Sequence, residues 1–297
     1  MRLEAGDDAV IRVSEEMSGA ASVVALETTL VAHGFPPGEG VAVGLEAERR
    51  VREAGAVPMT VGVLEGEIVV GLTEDELARF DGGARKVGPR DLAVCAAQGA
   101  IGATTVGGTL AVMRACGIAV MGTGGLGGVH RGWNESPDIS ADLAQLAATP
   151  AVVVSSGVKS LLDVSATTEL LESLGVPVLG WRTDELPLFY TAHGGPPVSA
   201  RVETADEVAK IAVGHWVDLE SGGLLVARPP DESLDDVEPL IEEALSRAAE
   251  EDVAGQDVTP FVLSFLHRRS EGRTLRANKE LVWANAQLAG EIAVALS

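Results

Sequence analysis

Short Val-rich runs alternate with segments of helical spacing along most of this 297-residue chain, and that alternation leaves few folds open. Strands interleaved with helices imply an α/β architecture in which helices cover both faces of a sheet. Ala21–Leu30 reads as a first buried strand, and Val57–Leu72 as a hairpin turning at Glu65-Gly66. Ile118–Gly122, Ala151–Ser155, Val176–Arg182 and Leu224–Ala227 read as further short buried strands. Helical spacing covers Gly44–Ala54, Leu92–Gln98, Thr109–Cys116 and Ser140–Ala148. Capping boxes at Thr73-Glu-Asp-Glu76 and Thr204-Ala-Asp-Glu207 open two more helices, the second running to about Leu219. After Pro229-Pro230 the pattern is wholly helical: Asp235–Glu250, Thr259–Arg269 and Thr274–Leu296. No linker, repeat or low-complexity tract divides the chain. We therefore expect an N-terminal extension, residues 1–20, followed by one α/β domain, residues 21–297, whose helical C-terminal segment packs back on the core.

The formal net charge of −22 argues against nucleic acid as a partner, since a polyanion needs a basic footprint. A small phosphorylated substrate needs only a few local donors and stays open. Cys95 and Cys116 lack metal-ligand spacing and read as buried free thiols of a reducing compartment. The acidic stretch Met1–Glu16 shows no secretory h-region, and no apolar run reaches the ~18 residues of a membrane span. A cytoplasmic protein without membrane contact is expected.

Several motifs compete for the chemistry. Gly122-Thr-Gly-Gly-Leu-Gly127 follows a strand and matches Gly-x-Gly-x-x-Gly, with Asp142 about 20 residues on, as in a dinucleotide site. An NAD-binding oxidoreductase is the weaker reading, because Gly128–Pro137 has no helical register to follow the glycines. A loop whose backbone N–H groups surround a phosphate fits better, with Gly124, Gly125, His130 and Arg131 as candidates; a plain turn is the bland alternative. Asp138-Ile-Ser-Ala-Asp142 can cap the helix after it, or offer carboxylates to a hard divalent ion that keeps most of its waters. Glu27 ends an apolar strand, where an acid is costly unless paired or used; burial would raise its pKa and hold a proton for general-acid work.

Four lysines stand against eighteen arginines, which makes Lys159 conspicuous in the apolar run Ala151–Val164. Arginine cannot lose its proton, whereas a desolvated lysine becomes a nucleophile. Placed in the first turn of the next helix, Lys159 would also have its ammonium form disfavoured by the positive helix end. Snorkelling to solvent is the bland reading. An acid and an amine at one sheet edge suggest carbonyl chemistry through a Schiff base. Lys210 and Lys279 read as surface residues, and Lys86 is undecided on spacing alone.

Ordered blocks settle more. Ala25-Leu-Glu-Thr-Thr29, Lys86-Val-Gly-Pro-Arg-Asp-Leu92, Gly102–Val106, Thr123–Gly132, Asp138–Asp142 and Gly157–Asp163 closely resemble the pseudouridine-5′-phosphate glycosidases, the indigoidine-synthase-A-like family. Thr183–Pro187, Gly222–Ala227, Val258–Phe261 and Asn278…Asn285-Ala286 extend the likeness. The resemblance implies an α/β/α sandwich, a homotrimer and a divalent metal, usually Mn2+. It implies reversible cleavage of pseudouridine 5′-phosphate into uracil and ribose 5-phosphate. It places the covalent nucleophile on Lys159, the proton donor on Glu27 and the metal at Asp138. Substrate contacts fall on Lys86, Val106, Ser140, Ala141, Asp142 and Asn278, the last near the base.

The chain also departs from the family pattern. Gly88-Pro89 replaces the usual Ser-x, Gly107-Gly108 the usual Ala-Ser, Ser155-Ser156 the usual Cys-Ala, and Ala284 the first of two asparagines. Some members join ribose 5-phosphate to an aromatic polyketide, as in alnumycin C-ribosylation. Glycines in place of larger residues are what a bulkier aromatic acceptor would require, so that C-glycosynthase reading stands beside uracil.

Overall fold

The computed structural model describes residues 10–297 apart from 82, 136, 254, 256 and 257. Residues 1–9 of the expected N-terminal extension lie outside it. Among the described residues eleven strands form one sheet. They are β1 (Ile11–Val13), β2 (Val23–Glu27), β3 (Val57–Leu64), β4 (Glu67–Val70), β5 (Arg85–Val87), β6 (Gly102–Thr104), β7 (Val120–Gly122), β8 (Val152–Ser155), β9 (Val178–Trp181), β10 (Ala200–Val202) and β11 (Leu224–Ala227). The main path runs β1-β4-β3-β2-β7-β8-β11-β9-β10, with β6 bridging β3 and β5. Pairing is parallel except at β3–β4 and β3–β6.

The helices are α1 (Thr29–His33), α2 (Gly40–Glu53), α3 (Glu74–Leu77), α4 (Leu92–Ala97), α5 (Val106–Cys116), α6 (Ala141–Ala147), α7 (Val164–Ser173), α8 (Ala205–Val213), α9 (Glu238–Glu250), α10 (Val258–Arg269) and α11 (Arg273–Leu296). They cover both sides of the sheet: α11 packs on β2, β7 and β8 together with α2 and α8, while α5 packs with α6 and on β2 and β3. The expected helical C-terminal segment thus returns to the core. Small residues let it come close: a Cβ at Gly122 of β7 would fall 3.1 Å from the Ala286 Cα of α11. None of the helices is long and apolar enough to cross a membrane, among the described residues.

Local signals act as their chemistry requires. Both capping boxes form with both reciprocal bonds. The hairpin turns at Glu65 and Gly66, both at positive φ (53° and 92°), the twist that a two-residue β-turn needs. Thr105 caps α5 by accepting the Gly108 N–H, so this helix starts three residues before the expected Thr109. Asp163 caps α7 in the same way. Consequently Lys159 lies in the loop before α7 and not in a first helical turn, which corrects the expectation of a positive helix end beside it.

Four strands escaped the sequence reading: β1, β5, β6 and β10 have three residues each, too few to show a two-residue period. Two of them matter. β1 joins the sheet in parallel with β4, so part of the expected extension is sheet. β5 carries Lys86.

The topology also locates a crevice. β2 lies between β3 and β7; the chain leaves β2 towards β3 on one side and leaves β7 towards β8 on the other. In open α/β sheets such a switch point opens a cleft beyond the carboxyl ends of the strands, where ligands bind.

Candidate active site

Glu27 ends β2, Thr123 follows β7, and Lys159 follows β8, so three adjacent parallel strands deliver them to one edge. Glu27 is 7% exposed. Its Oε1 accepts the Thr123 hydroxyl at 2.5 Å, while Oε2 is buried without a hydrogen-bond partner in the protein. Burial pushes the Glu27 pKa up; Lys159 and the Thr123 hydrogen bond oppose the rise without cancelling it. The carboxyl is therefore set to keep its proton, as expected of a general acid.

Two cavities meet at the lysines. The smaller, of about 60 Å³, is mostly apolar and lined by Glu27, Leu30, His33, Thr123–Gly125, Phe189, Leu263 and Asn278. The larger, of about 630 Å³, mixes apolar surface with many charged and polar side chains, among them Arg90, Asp91, Thr105, His130, Asp138, Ser140 and Asp142, and is called the polar chamber below. Lys86, Lys159 and Thr259 line both. Lys159 thus stands at the junction of the two. Lys86, undecided on spacing but a substrate contact by resemblance, lines both cavities with it.

The remaining expected site residues divide. Lys86, Ser140, Ala141, Asp142, His130 and Asp138 border the polar chamber, and Asn278 the small cavity. Ser140 also caps α6, accepting the Asp142 N–H at 3.2 Å, so the capping reading of this segment holds. The Asp142 carboxylate accepts N–H groups from Gly107 (2.7 Å) and Gly127 (2.9 Å), tying the N-terminus of α5 to the glycine loop.

Three expected contacts are placed apart from the rest. The Val106 side chain is fully buried, so only its backbone can meet a substrate. Arg131 is engaged within the protein: its guanidinium donates to the carbonyls of Leu162 and Ser160 and to Glu238, holding the Lys159 loop. Gly124 and Gly125 border the small cavity and not the polar chamber. No helix follows the glycine loop until α6, which removes the dinucleotide fingerprint. The departures at Gly107 and Gly108 open no pocket either. A Cβ at Gly108 would come within 2.6 Å of the Val87 carbonyl, and one at Gly107 within 3.0 Å of Asp142.

Other residues of the site carry no local signal. Phe189 holds a positive φ of 67°, uncommon for a residue with Cβ, and walls the small cavity. Its ring leaves no room for a side chain at Gly125, whose Cβ would lie 2.7 Å from it and 3.3 Å from Lys159 Cγ. Arg90, 92% exposed and 3.6 Å from Asp91, borders the polar chamber, which Arg131 does not.

For a metal, the described residues contain no cluster of three His, Cys, Asp or Glu side chains in ligating reach. The half-exposed Asp138 carboxylate faces the polar chamber with His130 Nδ1 at 3.8 Å. One carboxylate on a roomy polar chamber fits a hard ion that keeps its waters, and does not fit a closed protein cage. Burial lowers the His130 pKa, Asp138 opposing, so its ring is neutral near pH 7.

Comparison with known proteins agrees with this geometry. Residues 12–295 match the family described as Indigoidine synthase A like protein. A Streptomyces griseus protein named pseudouridine-5′-phosphate glycosidase is 47% identical, covering 95% of this chain and 90% of its own. The crystal structure of an indigoidine synthase A-like protein from Thermotoga maritima superposes with a TM-score of 0.89 at 40% identity, covering 99% of both chains. That of the prealnumycin C-glycosynthase AlnA, in complex with ribulose 5-phosphate, gives 0.88 at 39% identity over 97% of both. With the acid, the amine and the two cavities in place on this fold, the chain belongs to the indigoidine-synthase-A-like family of C–C glycosidic enzymes.

Proposed function

We propose that this enzyme makes and breaks the C–C glycosidic bond of pseudouridine 5′-phosphate, with Lys159 as nucleophile at C1′ and Glu27 as proton donor. One observation carries the reading: a buried Glu27 Oε2 without a partner, at the edge where Lys159 joins a small apolar cavity to a polar chamber. A C–C bond has no leaving oxygen to protonate, so two carboxylates would not suffice.

Glu27 gives its proton to the ring oxygen as the C1′–O bond breaks, and the Lys159 amine adds to C1′, releasing a proton. The C1′–base bond then breaks with its electrons going to the base carbon, which is protonated. The C1′=N imine left on Lys159 is hydrolysed by water to ribose 5-phosphate and free lysine. Lys86, Arg90 and the segment Ser140–Asp142 hold the sugar phosphate, and Asn278 faces the base. A divalent ion such as Mn2+, held by Asp138 through its water shell, would add positive charge beside the phosphate. A homotrimer is the proposed assembly, which the mass in solution checks.

The small cavity and the filled surroundings of Gly107 and Gly108 favour a compact base over a polyketide. The AlnA likeness keeps the C-glycosynthase reading as the second. Purified protein with Mn2+ should release uracil from pseudouridine 5′-phosphate. Conversion of ribose 5-phosphate plus an aromatic acceptor to a C-riboside, with no uracil release, would reverse the assignment.

A further inference from the structure

Asn285 sits on the inner face of α11, fully buried, a costly place for an amide unless its hydrogen bonds are met. They are met entirely at the site. Nδ2 lies 2.8 Å from the Thr123 carbonyl oxygen, 3.4 Å from that of Gly124 and 3.1 Å from Ser156 Oγ. Two of these partners are carbonyls, which only accept, so the amide can face them only with its NH2. Asn285 thereby grips the loop after β7 and the loop after β8 with one side chain. The first loop carries the hydroxyl that donates to Glu27; the second leads in three residues to Lys159. The Ser156 N–H donating to the Gly124 carbonyl (3.0 Å) and the Phe189 N–H donating to the Ser156 carbonyl (3.1 Å) close the network.

We infer that Asn285 is a positioning residue for both reacting groups: it fixes the backbone at Thr123 and Ser156, and so sets the placement of the Glu27 proton relative to the Lys159 amine. Thr123 orients Glu27 by occupying Oε1, which leaves Oε2 as the oxygen that faces substrate. The C-terminal helix is then part of the reaction machinery through this amide as well as through Asn278. A misplacement of about 1 Å between reacting groups lowers the rate about a hundredfold without any loss of binding contacts.

The inference rests on the roles proposed above for Glu27 and Lys159, and the test separates the two. The full-length protein, Asn285→Ala, Thr123→Val and the double variant are compared with pseudouridine 5′-phosphate, reading kcat and KM. Each single variant should lower kcat about a hundredfold with KM little changed. The double should lose less than the product of the two single losses, because part of what Asn285 does passes through the Thr123 hydroxyl. Thr123→Val should also move the alkaline limb of the rate profile to higher pH, because the lost hydroxyl stabilised the carboxylate. The other groups acting on Glu27, namely Lys159, Asp142 and Lys86, are unchanged in that variant. Should Asn285→Ala not fold, Ser156→Ala removes the side-chain end of the grip and Thr123→Val the hydroxyl that the grip positions, each with Asn285 in place, and both should lower kcat about tenfold or more. A wild-type kcat in any of these variants, or multiplicative losses in the double, overturns the inference. If the unmodified enzyme neither releases uracil nor forms a lysine adduct, it is the reading of the site that fails.

Discussion

The two cavities that meet at Lys159 are built on different principles. On the Glu27 side the acid is held through a chain of contacts: Thr123 holds Oε1, Asn285 holds Thr123, and the Phe189 ring fills the space above Gly125. The polar chamber is wide and set with the exposed Arg90 and the half-buried Asp138 and Lys86. Preorganised groups suit proton and bond transfer, where small displacements are expensive. A wet chamber suits a hydrated phosphate and ion, where water bridges replace fixed contacts. Substitutions on the two sides should therefore differ in size and in kind.

The largest effect belongs to the junction. Lys159→Arg keeps a cation but cannot form an imine, so kcat should fall by about four orders of magnitude with substrate binding largely kept. Steady-state kinetics with a binding titration checks both halves.

Glu27→Gln comes next, lowering kcat about a thousandfold. It also carries a stability signature. The folded-state pKa of Glu27 lies above its unfolded value, so its contribution is fully present below the ordinary glutamate value of 4.5 and is lost as pH rises towards the folded pKa. Thermal melts should show Glu27→Gln gaining on the unmodified protein as pH rises above 4.5. An unchanged difference across that range would mean Glu27 is not desolvated.

On the wet side, Asp138→Asn should weaken Mn2+ activation about tenfold or more while leaving lysine adduct formation possible. Titration of activity against Mn2+ reads this directly. A loss as large as that of Lys159→Arg would erase the contrast between the two cavities.

The smallest effects test the departures from the family pattern. Gly108→Ala should destabilise by about 2 kcal/mol, because its Cβ meets the Val87 carbonyl. Gly107→Ala, with a 3.0 Å approach to Asp142, should be milder. Neither should alter the choice between uracil and an aromatic acceptor; a changed preference would show that these glycines face the substrate after all.

The same contrast explains what could be read in advance. Glu27 and Lys159 were legible because each is a charge at the end of an apolar run, and burial at a strand end has few cheap explanations. The hairpin and both capping boxes were legible because two-residue turns and reciprocal caps are local chemistry. The link from Asn285 to Thr123 spans 162 residues of sequence, and no periodicity announces it. Arg131 shows the converse: beside a glycine loop it reads as a phosphate donor, yet its partners are carbonyls brought near only by the fold. The helix expected at Lys159 was misplaced because the real start signal, Asp163, stands four residues further on.

The central claim is a covalent one, and trapping tests it most directly. Ribose 5-phosphate with borohydride should add one reduced sugar phosphate to the protein, located at Lys159 by peptide mass mapping and absent in Lys159→Arg. No added mass, or mass on a different lysine, would contradict the account.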